Sequence, residues 1–177
     1  MRSPGIAGLV MSGMSMIRIE ISRDDEFTAG SVAFRRAMEN SNKIDRSFQK
    51  LDLHEGIARD AHSIGAEIAV AQYFGFKDFE PSCGTFKNEA DVGSFLEIKH
   101  TKYKEGNLII KASDRDSDIA ILVVGASPTY YIAGWIPVVI AKKDRFRHDK
   151  TDSWWVSQIN LQPVETLIRS QYGIPLL

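Results

Sequence analysis

A change of hydrophobic period at Gly75 constrains this chain more than any other feature of its sequence. Upstream, Ile57, Ala61, Ile64, Ile68 and Ala71 recur at steps of four and three residues and make one narrow apolar stripe. That spacing predicts an amphipathic helix over Glu55–Phe74. Gly75 stands where a helix prefers its left-handed C-terminal cap. Downstream the period falls to two. Short strands are expected at Phe79–Pro81, Glu89–Val92, Phe95–Thr101, Leu108–Lys111, Ile119–Val124 and Tyr130–Ile136. Gly93-Ser94, Glu105-Gly106-Asn107 and Ser127-Pro128 punctuate them. The unbroken apolar run from Ile119 to Val124 predicts a central strand covered on both faces. A helix followed by a mostly antiparallel sheet indicates a layered α/β (α+β) domain.

The ends of the chain add less. Met16–Ile21 alternates apolar and polar residues, as a strand does, and Asp24 or Asp25 can cap a helix running to about Asn40. Residues 40–53 are polar and weakly patterned, which predicts a loop or a short helix. Trp154-Trp155-Val156 and a last helix around Val164–Gln171 complete the chain. Residues 1–15 read as a disordered leader or an unused upstream start, and residues 16–177 as a single domain. In 177 residues, 22 Lys and Arg against 23 Asp and Glu leave a net charge of −1. Binding nucleic acid through overall basicity is thereby excluded, so any such binding must use local patches. The lone Cys83 rules out an internal disulfide and a cysteine zinc site. No stretch approaches the ~18 apolar residues of a membrane span, so a soluble, cytoplasmic protein without a membrane partner is expected.

Chemistry concentrates at Glu97-Ile98-Lys99. Alternate strand residues share a face, so Glu97 and Lys99 point together while Leu96 and Ile98 face the other way. Asp91 precedes them across a hairpin, and register decides whether it joins them. A two-residue Gly93-Ser94 loop would oppose Asp91 to Leu96. A three-residue loop, Gly93-Ser94-Phe95, opposes Asp91 to Glu97 on one face. Two carboxylates held that way make a hard-oxygen site suited to Mg²⁺ or Mn²⁺. Glu67 lies about 80° from the centre of the helical stripe, at ~100° per residue. From that margin of the buried face it can reach over the sheet edge as a third acid.

Glu67 on a helix, then Asp91, then Glu97-Ile98-Lys99 resembles the active-site frame of the PD-(D/E)XK nuclease superfamily. Gly65-Ala66-Glu67-Ile68-Ala69-Val70 followed by Asp91-Val92-Gly93 is also similar to small phage-borne members of unassigned role. The resemblance covers roughly Glu55–Ile136, and Ala90 stands where the family's proline precedes the aspartate. It implies a restriction-endonuclease-like three-layer core, a central mixed sheet flanked by helices. It also implies metal-dependent hydrolysis of phosphodiester bonds with Mg²⁺ or Mn²⁺, on DNA rather than RNA, in the host cytoplasm if the chain is phage-encoded. Asp91, Glu97 and the backbone carbonyl of Ile98 would hold the metal. Lys99 would orient or activate the attacking water and offset charge on the scissile phosphate. Glu67 would bind a second metal or a metal-bound water. Small nucleases of this kind often pair as homodimers to cut two strands.

Several segments could serve nucleic-acid binding. His100, Lys102 and Lys104 continue the Glu-x-Lys strand with cationic groups, and a protected edge strand explains them equally well. Lys142, Lys143, Arg145 and Arg147 lie in a stretch, 142–150, with five Lys or Arg against two Asp. This stretch could grip a phosphate backbone or form a solvated loop. Asp114, Asp116 and Asp118 resemble half a calcium loop without its glycine and distal glutamate, and read as a turn. Trp154-Trp155 reads as core plus surface cover. Two other readings compete with the nuclease. One is a binding protein of the same fold that grips nucleic acid or a protein without cleaving it. The other is an unrelated α+β interaction protein in which Glu97 and Lys99 are an ion pair.

Overall fold

The computed structural model describes residues 9–11, 14–42, 50–84 and 88–176. Of the expected leader, residues 9–11 form strand β1 (Leu9–Met11), which pairs antiparallel with β2 (Met14–Glu20). Residues 1–8, 12 and 13 lie outside the described set, as do residues 43–49 of the expected polar loop.

Two helices follow, each started by a reciprocal cap. Helix α1 (Arg23–Glu39) begins at Ser22, whose hydroxyl accepts from the Asp25 N–H while the Asp25 carboxylate accepts from the Ser22 N–H. The cap is therefore two or three residues earlier than Asp24 or Asp25. Helix α2 (Leu53–Phe74) repeats the device with Asp52 and Glu55, and it ends at Gly75 in the left-handed region at φ 78°. Only glycine adopts that conformation without a Cβ penalty. The α2 helix is more than amphipathic: every residue from Ile64 to Ala71, Glu67 included, is buried. Gly65 sits against the Tyr130 ring, whose hydroxyl donates to the His62 carbonyl at 2.9 Å. A side chain at 65 would overlap that ring, so glycine sets how closely α2 approaches the sheet.

The sheet contains β3 (Leu96–Thr101), β5 (Ile119–Ala126) and β6 (Thr129–Pro137) beside β1 and β2, in the order β1-β2-β6-β5-β3. Its pairs are antiparallel except β3–β5, which is parallel, so the sheet is mixed. Strand β5 is buried on both faces, as its apolar run predicts. Ile119, Ile121 and Val123 pack toward α1 and α2. Ala120, Leu122 and Val124 pack toward a second layer, formed by a two-stranded sheet of β4 (Leu108–Lys111) and β7 (Ser153–Val156) with the short helix α3 (Val138–Ala141). The molecule is thus mixed α/β, with α1 and α2 on one face of a mixed sheet and β4, β7 and α3 on the other.

Three expected elements are corrected. Phe79–Pro81 carries no strand: Pro81 has no N–H to give a ladder, and the Arg36 guanidinium takes the neighbouring Ser82 carbonyl at 2.8 Å. Glu89–Val92 shrinks to one bridge, Val92 to Leu96, because the chain turns away at once on either side. The last helix, Val164–Gln171, is replaced by a 3₁₀ turn at Val164–Thr166 and a further 3₁₀ helix that starts only at Gln171. At the first of these the Trp135 indole N–H donates to the Pro163 carbonyl and the Thr166 hydroxyl, which fixes the chain against β6 before a longer helix can form. Trp154 is buried and Trp155 half-exposed, as core plus cover. Among the described residues no helix is long and apolar enough to cross a membrane.

Candidate active site

The site is built on the free edge of β3. Leu96 and Val92 exchange two backbone hydrogen bonds, at 3.1 and 3.2 Å, which closes the three-residue loop Gly93-Ser94-Phe95. The pairing stops at this one bridge, so Asp91 reaches β3 through its side chain rather than through a strand ladder. The carbonyl oxygen of Phe95, one residue before Leu96, accepts from the Ile119 N–H of β5 instead. Odd residues of β3 therefore bond inward to β5, and even residues present N–H and C=O to the open edge. Asp91 uses this edge: its Oδ2 accepts from the Ile98 N–H at 2.8 Å. The Ile98 carbonyl faces the same side.

Glu97 and Lys99 project from the face of β3 opposite the helices, since Leu96 and Ile98 belong to the helix-side core. The Lys99 ammonium lies between two carboxylates, 2.8 Å from Glu97 Oε1 and 2.8 Å from Asp114 Oδ2. Asp91, Glu97, Lys99 and Asp114 line one polar cavity of about 360 Å³, with Arg36 and Arg115 also on its wall. Two cationic staples hold this geometry. Arg115 grips the buried Asp118 through two nitrogens and donates to the carbonyls of Asn88 and Ser94, tying the Asp91 hairpin to the β4–β5 loop. Lys142 donates to the carbonyls of Ala112 and Asp114 and to Asp116 Oδ1, fixing the loop that carries Asp114.

Glu67 approaches from the helix side. It is 5% exposed, and Arg36 of α1 faces its two oxygens at 3.4 Å each. Arg36, Glu67 and Asp91 line a small cavity behind the larger one. Burial, then the neighbouring Asp91 charge, pushes the Glu67 carboxyl up to about 7 against the opposing pull of Arg36. The Arg36 contacts exceed the 2.7–2.9 Å of a strong charge-assisted hydrogen bond, which is why burial wins. Burial likewise raises Asp91, although the Ile98 N–H and Lys99 oppose it. It raises Glu97 against the pull of Lys99, with the Asp91 charge adding to the rise. Burial would lower Lys99, but Glu97 and Asp114 outweigh it and hold the ammonium above its ordinary range.

The expected ligand set is thus rearranged. Among the described residues no group of three or more His, Cys, Asp or Glu could together hold a metal ion. Glu67 is turned to Arg36, behind Asp91, and does not converge with the other two acids. What remains is Asp91, Glu97 and an edge carbonyl. That set still fits Mg²⁺, which is commonly bound by one or two carboxylates and keeps several waters. Two half-buried carboxylates, with the Asp91 charge raising the pKa of Glu97, are a place where a cation relieves repulsion.

The expected nucleic-acid contacts divide. His100 is turned inward: Nε2 meets the Gly125 carbonyl at 2.8 Å, Nδ1 faces the Ser63 hydroxyl, and the ring packs edge-on against Tyr130. Burial first, and Lys102 among lesser causes, hold its pKa low, so it is no cation for phosphate. Lys142 is consumed by the loop it clamps. Arg147 pairs with Asp152 at 2.9 Å and lies over the Trp154 ring, and Arg145 lies over Phe146. Lys102, Lys104 and Lys143 are exposed. Sequence reasoning missed Arg36, Arg115 and the role of Asp114. Asp114 does lie in a turn, as expected, and its aspartate-rich surroundings were the signal that could have singled it out. Comparison with protein-family models, characterised proteins and solved structures returns no match.

Proposed function

We propose that this chain is a metal-dependent nuclease of the PD-(D/E)XK kind with a restriction-endonuclease-like core, hydrolysing phosphodiester bonds of nucleic acid, DNA in preference to RNA. The observation that carries the reading is the convergence of Asp91, Glu97 and Lys99 on one polar cavity at an open strand edge, beside the outward carbonyl of Ile98. Asp91, Glu97 and that carbonyl would hold Mg²⁺ or Mn²⁺. When bound, such a cation supplies a polarised phosphate, an acidified water and a stabilised leaving oxygen. Lys99 sets a positive charge beside the scissile phosphate and orients the attacking water. Asp114 keeps Lys99 charged and aimed, and Glu67 with Arg36 closes the rear of the site against bulk water.

A second reading is a non-catalytic member of the same fold. It is favoured by one observation: the Lys99 ammonium already has two carboxylate partners. One pair of measurements separates the two. Calorimetry with Mn²⁺ on the wild type and on Asp91→Asn reads the metal site. Incubation of labelled single- and double-stranded DNA and RNA with Mn²⁺ reads cleavage. Heat that disappears in Asp91→Asn, together with cleavage, supports the nuclease. The same heat without cleavage of any substrate supports the binding protein, and no Asp91-dependent heat overturns both.

A further inference from the structure

A third cavity lies farther along the strand that carries Lys99, on the same face of the sheet. Its volume is about 160 Å³, and its walls are Met16, Val124 and Tyr131, with Lys102 and Lys104 at its rim. Met16 and Tyr131 pack on the sheet face that Glu97 and Lys99 also occupy. A cavity of ~150 Å³ with apolar walls is enough to take a benzene ring, so this one has room for a flat heterocycle. The rim is preorganised. Gln158 Nε2 donates to the carbonyls of Lys104 and Gly106, at 2.8 and 3.1 Å, and the Tyr103 N–H donates to the Thr101 hydroxyl. Among the described residues neither lysine ammonium has an ion-pair or hydrogen-bond partner. Tyr103 between them is 76% exposed.

From this arrangement we infer that the Met16–Val124–Tyr131 cavity is a nucleobase subsite, with Lys102 and Lys104 gripping the phosphates on either side of the inserted base, so that the preferred ligand is single-stranded nucleic acid. The inference rests on the nuclease reading for what lies at Lys99. Three residues of strand at ~3.3 Å each separate Lys99 from Lys102. A strand whose phosphodiester sits at Lys99 therefore reaches the cavity with a base a few nucleotides away. A duplex would have to unpair and unstack that base first, whereas a single strand offers it directly. An apolar slot rimmed by lysines is the combination that unspecific single-strand binders use, a stacking surface beside an electrostatic track.

The test measures affinity by fluorescence anisotropy in EDTA, where no metal-dependent cleavage occurs. The ligands are a labelled deoxythymidine dodecamer and a dodecamer of abasic phosphodiester units. Both carry the same phosphates, but only one carries bases. The wild type is expected to prefer the thymidine strand by about tenfold or more, the effect of roughly one stacked base. Met16→Trp fills the cavity and Tyr131→Ala removes a wall, and in each folded variant the preference collapses toward unity. Lys102→Gln with Lys104→Gln weakens both ligands alike and flattens the salt dependence. A preference that survives in both cavity variants, or equal binding of the two strands by the wild type, overturns the inference. No binding of either strand overturns it as well. Failure of the nuclease reading looks different: it is the absence of Asp91-dependent metal heat, and it leaves the base preference standing.

Discussion

Glu67→Gln tests the electrostatics of the site most directly, because two opposing causes act on one carboxylate. If the Arg36 ion pair dominated, ionised Glu67 would stabilise the fold and the substitution would cost more as pH rises. Burial and Asp91 dominate instead, raising Glu67 from its ordinary 4.5 to about 7. The folded protein then holds the proton more tightly than the unfolded chain. The stability contributed by neutral Glu67 is fully present below about pH 4.5 and is lost as pH rises through 7. Between those limits the difference is roughly 2.5 pH units at ~1.36 kcal/mol each, or about 3 kcal/mol in all. Glutamine is neutral throughout. Urea denaturation of metal-free protein at half-unit steps from pH 4.5 to 8 should therefore show Glu67→Gln gaining about 3 kcal/mol on the wild type across that window. The attraction of Arg36 for ionised Glu67 is already contained in the value of about 7, so it adds no separate pH dependence. A difference that stays flat, or one that grows in favour of the wild type with rising pH, would refute the dominance of burial.

Lys99→Met should cost about 2 kcal/mol without metal, since it strands the half-buried Glu97 and Asp114 carboxylates without a counter-charge. Mn²⁺ should then raise the Tm of this variant more than that of the wild type, while cleavage falls roughly a hundredfold or more; an equal Tm rise in both proteins contradicts the shared site. Gly65→Ala drives a methyl group into the Tyr130 ring and should destabilise by about 1–3 kcal/mol. Gly65→Ala with Tyr130→Phe, which removes the hydroxyl in the way, should recover part of that loss in a double-mutant cycle, and strict additivity would show that the overlap is not its cause. Lys142→Met removes three hydrogen bonds from the Asp114 loop and should lower stability by about 2 kcal/mol in chemical denaturation; a change within a few tenths of a kcal/mol would mean that the loop is held without the clamp.

Local physics was legible in the chain itself. The three-and-four spacing of Ile57 to Ala71, the Gly75 cap and the apolar run of β5 depend on neighbours within a turn or a strand. The parity of the Gly93-Ser94-Phe95 loop belongs here too, because alternation along a strand permits only one set of faces once a loop is odd. The same reasoning gave too much to short segments: the strand expected at Phe79–Pro81 and the helix at Val164–Gln171 lost to contacts from Arg36 and Trp135, far away in sequence. Residues that complete the site were invisible for that reason. Arg36 reaches Glu67 across 31 positions, and Lys99 meets Asp114 only because Arg115 and Lys142 bend the β4–β5 loop back over β3. No periodicity encodes such meetings. Glu67 makes the point in its energy as well as its place: the helical pattern put it at the margin of a buried face, and only the packing of α1, the sheet edge and Asp91 around it removed the water that would have kept its carboxyl an ordinary acid.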